Sequence, residues 1–246
     1  MQKQLTPAQR LIVAADFVPE PPNGRNWAHG MIMDLAKRLR GTGITIKLNA
    51  DLRTWGSGVI DEIHVCDLNF FADLKLIDIP ETLKRDGKYL FEFKPEMVTV
   101  MCAAGEASMK ALKTALPDSE VLGVTILTNL TDADTQTIFG CSIQQGVLRF
   151  ANMAKRAGID GLISSPKEAT ILRTLVGDDM TLNTPGIRPN CTIVKKDDQN
   201  AKRVMTPADA IRAGADRIVV GRPIIQADNP YDATMRTIDE IASACA

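Results

Sequence analysis

Eight short apolar runs recur along the chain, and amphipathic segments separate them. The runs have the length of strands, whereas the segments between them repeat apolar residues at helical spacing, as Met31, Leu35 and Leu39 do. Alternating strands and helices predict a parallel sheet, and eight repeats favour its closure into a (β/α)8 TIM barrel of the α/β class. The predicted strands are Leu11–Ala15, Ile44–Leu48, Phe70–Leu74, Met97–Met101, Val121–Leu127, Gly161–Ser164, Met180–Asn183 and Arg217–Val220.

The size and composition of the chain fit one such barrel. A length of 246 residues is usual for this architecture. Hydrophobic residues make up 45% of the chain and aromatic residues only 4%, so small branched side chains must build the core. No linker rich in Pro, Gly or Ser divides the chain, and no Gly-x-Gly-x-x-Gly follows the first strand. We therefore expect a single domain over residues 1–246 and no dinucleotide-binding fold.

The charge and cysteine content exclude several classes of partner. The net charge is -1, with 29 basic and 30 acidic residues and no basic patch interleaved with aromatics, so no nucleic-acid partner is expected. No apolar run approaches the roughly 20 residues of a membrane span. The five cysteines form no Cys-x-x-Cys pair, which argues against a zinc or redox site and fits free thiols in a reducing compartment. We expect a soluble, cytoplasmic protein.

Charged residues follow the first three predicted strands, at the end where barrel enzymes carry their active sites. Asp16 follows the first strand, Lys47 lies near the end of the second, and Asp73 and Lys75 end the third, with Asp78 shortly after them. Side chains two apart in a strand share a face, so Asp73 and Lys75 are expected to point the same way. Single charges of this kind are usually surface residues. Three successive strand ends with such charges indicate an active site instead.

The loops after the last two strands have the composition of a phosphate site. Thr184-Pro-Gly-Ile-Arg188-Pro follows the seventh strand, and Val220-Gly221-Arg222-Pro follows the eighth. Barrels often bind phosphate there, because glycine lets backbone N–H groups approach an anion and arginine adds a charged contact. The stretch from Pro189 to Thr206 has no apolar periodicity, and we interpret it as a mobile lid over the site.

These segments together resemble the orotidine 5′-phosphate decarboxylase family. Its signature is similar to Asp73-x-Lys75-x-x-Asp78-Ile-Pro80-x-Thr82. The resemblance spans nearly the whole chain, and the other matching segments are Asp16, Lys47, Thr125-Ile-Leu-Thr128, Thr184-Pro-Gly-Ile-Arg188-Pro, Arg203-Val-Met-Thr-Pro207 and Val220-Gly-Arg222-Pro.

The resemblance implies decarboxylation of orotidine 5′-monophosphate to uridine 5′-monophosphate, the last step of de novo pyrimidine nucleotide synthesis, without metal or organic cofactor. It further implies that Asp73 faces the substrate carboxylate and that Lys75 protonates the ring carbon. Lys47 and Asp78 would hold Lys75 in place and keep it charged. In a homodimer, Lys47, Asp73 and Lys75 would come from one subunit, and Asp78 and Thr82 from the other.

The resemblance assigns the remaining residues to substrate binding. Asp16 would bind the ribose hydroxyls and Thr128 the edge of the pyrimidine. Phosphate would be held by Gly221, Arg222 and, from the lid, Gln199, with Arg188 supporting the loop. Many relatives carry a histidine after the fourth strand, where this chain reads Met101-Cys102, and that position is assigned no role. We expect Cys102, like His29 and His64, to be a packing or surface residue.

Two alternatives remain open. A Mg²⁺-dependent decarboxylase of keto-sugar phosphates in the same superfamily commonly has a glutamate after the second strand, where this chain reads Lys47-Leu48-Asn49. A non-catalytic nucleotide-binding barrel would be expected to lack Lys75 or a flanking aspartate, and all three are present.

Overall fold

A computed structural model describes residues 5–18, 24–190 and 205–245. Its eight strands are all parallel and close into a barrel in sequence order, with the last strand paired to the first. The expected (β/α)8 barrel is therefore confirmed. The strands are β1 Leu11–Ala14, β2 Thr45–Leu48, β3 Asn69–Leu76, β4 Met97–Met101, β5 Glu120–Val124, β6 Gly161–Ile163, β7 Thr181–Thr184 and β8 Arg217–Val220.

Helices follow the strands and form the outer layer. Two helices instead of one follow each of β2, β5 and β8, and short 3-10 helices at Ala8–Arg10, Cys102–Ala104 and Pro166–Glu168 complete the connections. The helices are α1 Gly24–Arg38, α2 Ala50–Trp55, α3 Gly58–Val65, α4 Pro80–Phe91, α5 Glu106–Ala115, α6 Asp132–Phe139, α7 Ile143–Ala157, α8 Ala169–Val176, α9 Pro207–Arg212, α10 Arg222–Ile225 and α11 Pro230–Cys245.

Local chemistry explains where the helices begin and end. The helix α7 begins at a capping box, in which Ser142 and Gln145 satisfy each other's backbone N–H groups. It ends at Gly158, which adopts the left-handed conformation that terminates helices. Its buried face, which includes Val147 and Phe150, packs on the strands.

The core has two layers, as alternating strand residues require. One set of side chains fills the barrel itself and includes Ile12, Phe71, Leu122 and Val219. The larger set lies between the barrel and the helices. Because a packed interior closes the barrel below, chemistry is confined to the carboxyl ends of the strands.

The amino end of the barrel is closed by a buried polar cluster. Arg217 is 6% exposed and donates two hydrogen bonds to Glu120, at 2.9 and 2.6 Å. It also donates to the Asn183 side-chain oxygen at 3.3 Å. The arginine is thus buried with its charge paired, and the ion pair offsets part of the cost of removing the charge from water.

The predicted strand boundaries agree with the structure to within a few residues, and two differences are informative. β5 ends at Val124, not Leu127, because the chain turns after the Thr125 N–H group donates to the Ile163 carbonyl at 3.2 Å. β3 extends to Leu76 through an irregularity that forms part of the site described below. Within the described residues, no helix has the length and apolar character of a membrane span.

Candidate active site

Four side chains of alternating charge form a continuous line of contacts at the barrel mouth. The Lys47 ammonium lies 2.9 and 3.0 Å from the two carboxylate oxygens of Asp16. It also lies 3.4 Å from Asp73 Oδ2, which in turn accepts a hydrogen bond from Lys75 Nζ at 2.7 Å. The structure therefore brings together Asp16, Lys47, Asp73 and Lys75, as the sequence predicted.

The strand register places these residues side by side. Lys47 of β2 pairs with Ala14 of β1 and with Phe71 of β3. Asp16 follows two residues after Ala14, and Asp73 two residues after Phe71, so both carboxylates lie just above the lysine. Lys47 and Asp73 are buried, whereas the Asp16 side chain is 52% exposed and that of Lys75 is 32% exposed. The line of charges thus runs from the barrel interior to solvent at both ends.

The Lys75 backbone departs from regular strand geometry. Its φ is 50°, in the left-handed region that non-glycine residues rarely adopt. The pairing between β3 and β4 shifts register between Ala72 and Leu76, as a β-bulge does. We expected Asp73 and Lys75 to share a face by simple alternation. The two side chains are in contact, but the bulge, not simple alternation, directs Lys75 towards Asp73.

Thr99 of β4 lies against this bulge. Its hydroxyl accepts a hydrogen bond from the Lys75 N–H group at 2.8 Å and donates one to Asp73 Oδ1 at 3.0 Å. The residue is fully buried. Sequence reasoning missed Thr99, although a single polar residue inside the apolar run Met97–Met101 is a signal that could have drawn attention to it.

The electrostatics of the cluster keep Asp73 ionised. Burial alone raises the pKa of its carboxyl, but the Lys47 and Lys75 charges and the hydrogen bonds from Lys75 and Thr99 outweigh it, so the pKa is lowered. Asp73 is therefore a carboxylate at any physiological pH. A buried negative charge flanked by two ammonium groups is the chief chemical feature of the mouth.

A second carboxyl near the mouth was not predicted. Asp51, in the first turn of α2, is 7% exposed. Burial raises its pKa, as does the nearby Asp16, although Lys47 and His29 act in the opposite direction. The sequence shows an aspartate four residues after Lys47, but only the packing of α2 reveals that it is buried beside the charged cluster.

The predicted phosphate loops lie next to the charged cluster around the barrel. β8 lies between β7 and β1, so the loop after β8 is next to the loop that carries Asp16, and the loop after β7 lies one strand further around the barrel. Gly221 precedes α10, whose first residue is Arg222. After β7, the Arg188 N–H group donates to the Met205 carbonyl at 2.9 Å. This hydrogen bond ties the Pro-Gly-Ile-Arg loop to the segment just before α9.

Three other predicted residues, Asp78, Thr82 and Thr128, lie beyond the ends of β3 and β5. Asp78 is exposed in the loop before α4, and among the described residues its carboxylate accepts only from the Ile79 N–H group, at 2.7 Å. Thr82 is half-buried in the first turn of α4. Thr128 is half-buried in the turn after β5. Gln199 and most of the predicted lid lie outside the described residues.

Cys102, His29 and His64 each contact neighbouring side chains or backbone of their own chain. Cys102 is fully buried against Gly123, and this burial raises the pKa of its thiol to about 12. The His29 ring packs on Trp55 at a tilt of 39° with ring centroids 4.6 Å apart, and His64 Nε2 lies 3.2 Å from Glu96 Oε2. In the described part of the chain, no group of three or more His, Cys, Asp or Glu residues is arranged to hold a metal ion.

Comparison with known proteins decides the family. The model of the Orotidine 5′-phosphate decarboxylase / HUMPS family matches residues 9–237. The chain belongs to this family. Two relatives named orotidine 5′-phosphate decarboxylase are similar to it over nearly their whole length. A Bradyrhizobium protein named orotidine 5′-phosphate decarboxylase is 37% identical over 249 aligned positions, which cover 100% of this chain and 97% of that protein. The Haemophilus influenzae protein of the same name is 35% identical, with 94% and 97% covered.

Solved structures of the family agree with the fold. The crystal structure of orotidine 5′-phosphate decarboxylase from Lactobacillus acidophilus matches with a TM-score of 0.78 and 30% identity, covering 95% of this chain and 99% of that one. The enzyme of that name from Pyrococcus horikoshii matches with a TM-score of 0.74 and 26% identity over 94% of this chain and 99% of that one. The family resemblance read from the sequence is thereby confirmed.

Proposed function

We propose that this family member is an orotidine 5′-phosphate decarboxylase, which converts orotidine 5′-monophosphate to uridine 5′-monophosphate in pyrimidine nucleotide synthesis. The observation that carries the proposal is the line of contacts Asp16–Lys47–Asp73–Lys75 at the mouth of the barrel. Relatives named for this activity, alike over nearly their whole length, support it. The proposed enzyme is a carboxy-lyase whose subunit is one barrel domain.

The arrangement of charges suits the loss of CO2. Asp73 is held ionised beside the position proposed for the substrate carboxylate, so the ground state brings two negative charges together. When the C6–carboxylate bond breaks, CO2 leaves and the electron pair remains on C6. The Lys75 ammonium stabilises this developing carbanion and transfers its proton to C6. The negative charge of the substrate moves away from Asp73 and towards Lys75, so the site stabilises the transition state more than the ground state.

The remaining residues of the proposed site bind the substrate. Asp16, half-exposed at the outer end of the charged line, accepts hydrogen bonds from ribose hydroxyls. Gly221 and Arg222 bind the phosphate, with Arg188 supporting the adjacent loop and Gln199 reaching the phosphate from the lid. Thr128 contacts the pyrimidine edge. Energy from the remote phosphate contacts can then orient the reacting carbon against Lys75.

We further propose that the active unit is a homodimer. Asp78 lies between Ile77 and Ile79, whose exposed fractions are 58% and 66%. Large apolar side chains that project from a loop favour a protein partner. Among the described residues, Asp78 makes no ion pair within its own chain, so its carboxylate is available to a second subunit. Asp78 and Thr82 would complete the partner's site, each dimer thus containing two composite sites.

The proposal includes a reaction without metal ion or organic cofactor, in the cytoplasm. Lys47 supports the metal-free reaction, because its ammonium group is the positive charge between the carboxylates of Asp16 and Asp73. A Mg²⁺-dependent decarboxylase would be expected to place a metal ligand, not a cation, at this strand end.

Turnover in the presence and absence of a chelator tests the proposal. Purified protein is mixed with orotidine 5′-monophosphate, and the ultraviolet absorbance of the pyrimidine is followed with and without excess EDTA. Equal rates are expected. Activity lost to EDTA and restored by Mg²⁺ would support the metal-dependent alternative. Tight binding of uridine 5′-monophosphate without turnover at micromolar enzyme would support a non-catalytic barrel.

A further inference from the structure

The hydroxyl group of Thr99 connects the two residues proposed to carry the chemistry. Its oxygen lies 2.8 Å from the Lys75 backbone nitrogen and 3.0 Å from Asp73 Oδ1. Thr99 lies in the middle of β4 and is fully buried, so it contacts neither solvent nor the proposed position of the substrate. Its two hydrogen bonds join β4 to the neighbouring strand β3.

The register of the two strands explains why this hydroxyl is needed. β3 and β4 pair regularly at Phe71–Met97 and Ala72–Val98, and pairing resumes at Leu76–Val100. Three residues of β3, numbers 73 to 75, therefore lie opposite Thr99 alone. In such a bulge the regular ladder cannot satisfy every backbone group. The Thr99 side chain accepts the hydrogen bond of the Lys75 N–H group in its place.

The direction of the two hydrogen bonds also constrains Asp73. A backbone N–H group can only donate, so the Thr99 oxygen accepts from Lys75 and its own proton is directed to Asp73 Oδ1. The second oxygen, Oδ2, receives Lys75 Nζ at 2.7 Å and lies 3.4 Å from Lys47 Nζ. Each carboxylate oxygen therefore has a fixed donor, and rotation of the carboxylate would break contacts at both.

We propose that Thr99 is a positioning residue of the decarboxylation site, which holds the Asp73 carboxylate and the Lys75 backbone in one fixed relative geometry. The catalytic consequence rests on the proposed function, whereas the positioning itself does not. Loss of the hydroxyl leaves the left-handed Lys75 backbone without its hydrogen-bond acceptor and frees one oxygen of Asp73. The lysine is then no longer held at the distance that proton transfer requires.

The kinetic experiment compares Thr99→Val, which keeps the shape and removes the hydroxyl, with Thr99→Ser, which keeps the hydroxyl. In Thr99→Val, kcat is expected to fall about 10- to 100-fold, because a misplacement of about 1 Å has effects of this size. The affinity for uridine 5′-monophosphate should stay within about threefold, since the phosphate and ribose contacts lie elsewhere. Thr99→Ser should restore most of kcat.

Thr45→Val is the matched control, because Thr45 is a buried threonine of β2 outside the charged line. It should lower thermal stability at most and leave kcat per folded molecule unchanged. If Thr99→Val proves insoluble, Thr99→Cys keeps the volume and weakens both hydrogen bonds, and the same loss of kcat is expected in milder form. An unchanged kcat in Thr99→Val, or a loss that Thr99→Ser does not recover, would overturn the proposal.

A second readout is independent of turnover. In protein labelled at lysine nitrogen and aspartate carboxyl carbon, NMR follows hydrogen exchange of the Lys75 amide and titration of Asp73. Thr99→Val should accelerate that exchange at least about tenfold and raise the pKa of Asp73, whereas Thr45→Val should change neither. If the wild type fails to decarboxylate orotidine 5′-monophosphate yet these changes appear, the proposed function is wrong and the positioning stands. Unchanged exchange and titration would overturn the positioning itself.

Discussion

Lys75 Nζ lies 2.7 Å from Asp73 Oδ2, and the two residues reach this contact through a bulge that gives Lys75 a φ of 50°. A non-glycine residue in this conformation costs on the order of 1 kcal/mol. The ion pair and the Thr99 hydrogen bonds offset that cost. The lysine is therefore held in place before substrate binds, and the energy needed to organise the site is supplied during folding and not at the moment of reaction.

Lys75→Ala should abolish turnover and spare binding. Removal of the proposed proton donor is expected to lower kcat by at least about a thousandfold, within the range attributed to general acid catalysis. The dissociation constant of uridine 5′-monophosphate should change by less than about threefold, because its phosphate and ribose contacts lie on other strands. Steady-state kinetics and calorimetry measure the two quantities. Lys37→Ala, at an exposed position of α1, serves as the control and should match the wild type. Equal losses in kcat and affinity for Lys75→Ala would contradict its assigned role.

Arg222→Ala should act in the opposite way, mainly on binding. A charge-assisted hydrogen bond contributes about 1.5–3 kcal/mol, so the affinity for uridine 5′-monophosphate should fall about 10- to 100-fold. Uridine, which lacks the phosphate, should bind the variant and the wild type equally. Arg212→Ala provides the control, since that arginine is exposed on α9 beside Asp209. Unchanged affinity of Arg222→Ala for the monophosphate would remove Arg222 from the phosphate site.

The barrel and the four-charge line could both be predicted from sequence for a simple physical reason. Strand periodicity depends on local residues, and parallel closure brings all strand ends to one rim, so polar residues at those ends must meet. The bulge could not be predicted in this way. It depends on Thr99, which is 24 residues from Lys75 in the chain and reaches it only through the β3–β4 pairing.

The burial of individual polar groups could also not be predicted from the sequence pattern. Asp51 reads as an ordinary aspartate in the first turn of a short helix, where acidic residues are favoured. Only the packing of α1 and α2 shows that it is 7% exposed, next to Asp16 and Lys47. Similarly, Asp78 could be recognised as part of a motif, but its proposed role in a partner's site depends on an assembly that strand periodicity does not encode.

The His64–Glu96 pair should make stability depend on pH. The hydrogen bond to Glu96 raises the pKa of His64, and the negative charges of Glu96 and Asp61 raise it further. Burial lowers this pKa but does not outweigh them. A raised histidine pKa contributes stability that is complete below the unfolded-state pKa and disappears as pH rises through the folded-state pKa. Urea unfolding of wild type, His64→Gln, Glu96→Gln and the double variant should give a coupling free energy that is larger at about pH 6 than at about pH 9. A coupling that is constant or grows with pH would contradict this assignment.

Mixed dimers test whether Asp78 serves the neighbouring site. Lys75→Ala and Asp78→Ala should each be inactive alone. In a mixed dimer, one site combines the intact Lys75 of the Asp78→Ala subunit with the partner's Asp78 and is complete, while the other site lacks both groups. Random exchange of subunits makes half of the dimers mixed, so activity should recover to about a quarter of the wild-type value.

The control mixture combines Lys75→Ala with Asp73→Ala, two residues that lie in contact within one chain. Because both belong to the same site, no mixed dimer contains a complete one, and activity should not recover. Recovery in the first mixture alone establishes that Asp78 acts across the interface. If neither mixture recovers although subunit exchange is verified by mass, Asp78 does not act across the interface, and the proposed composite site is wrong.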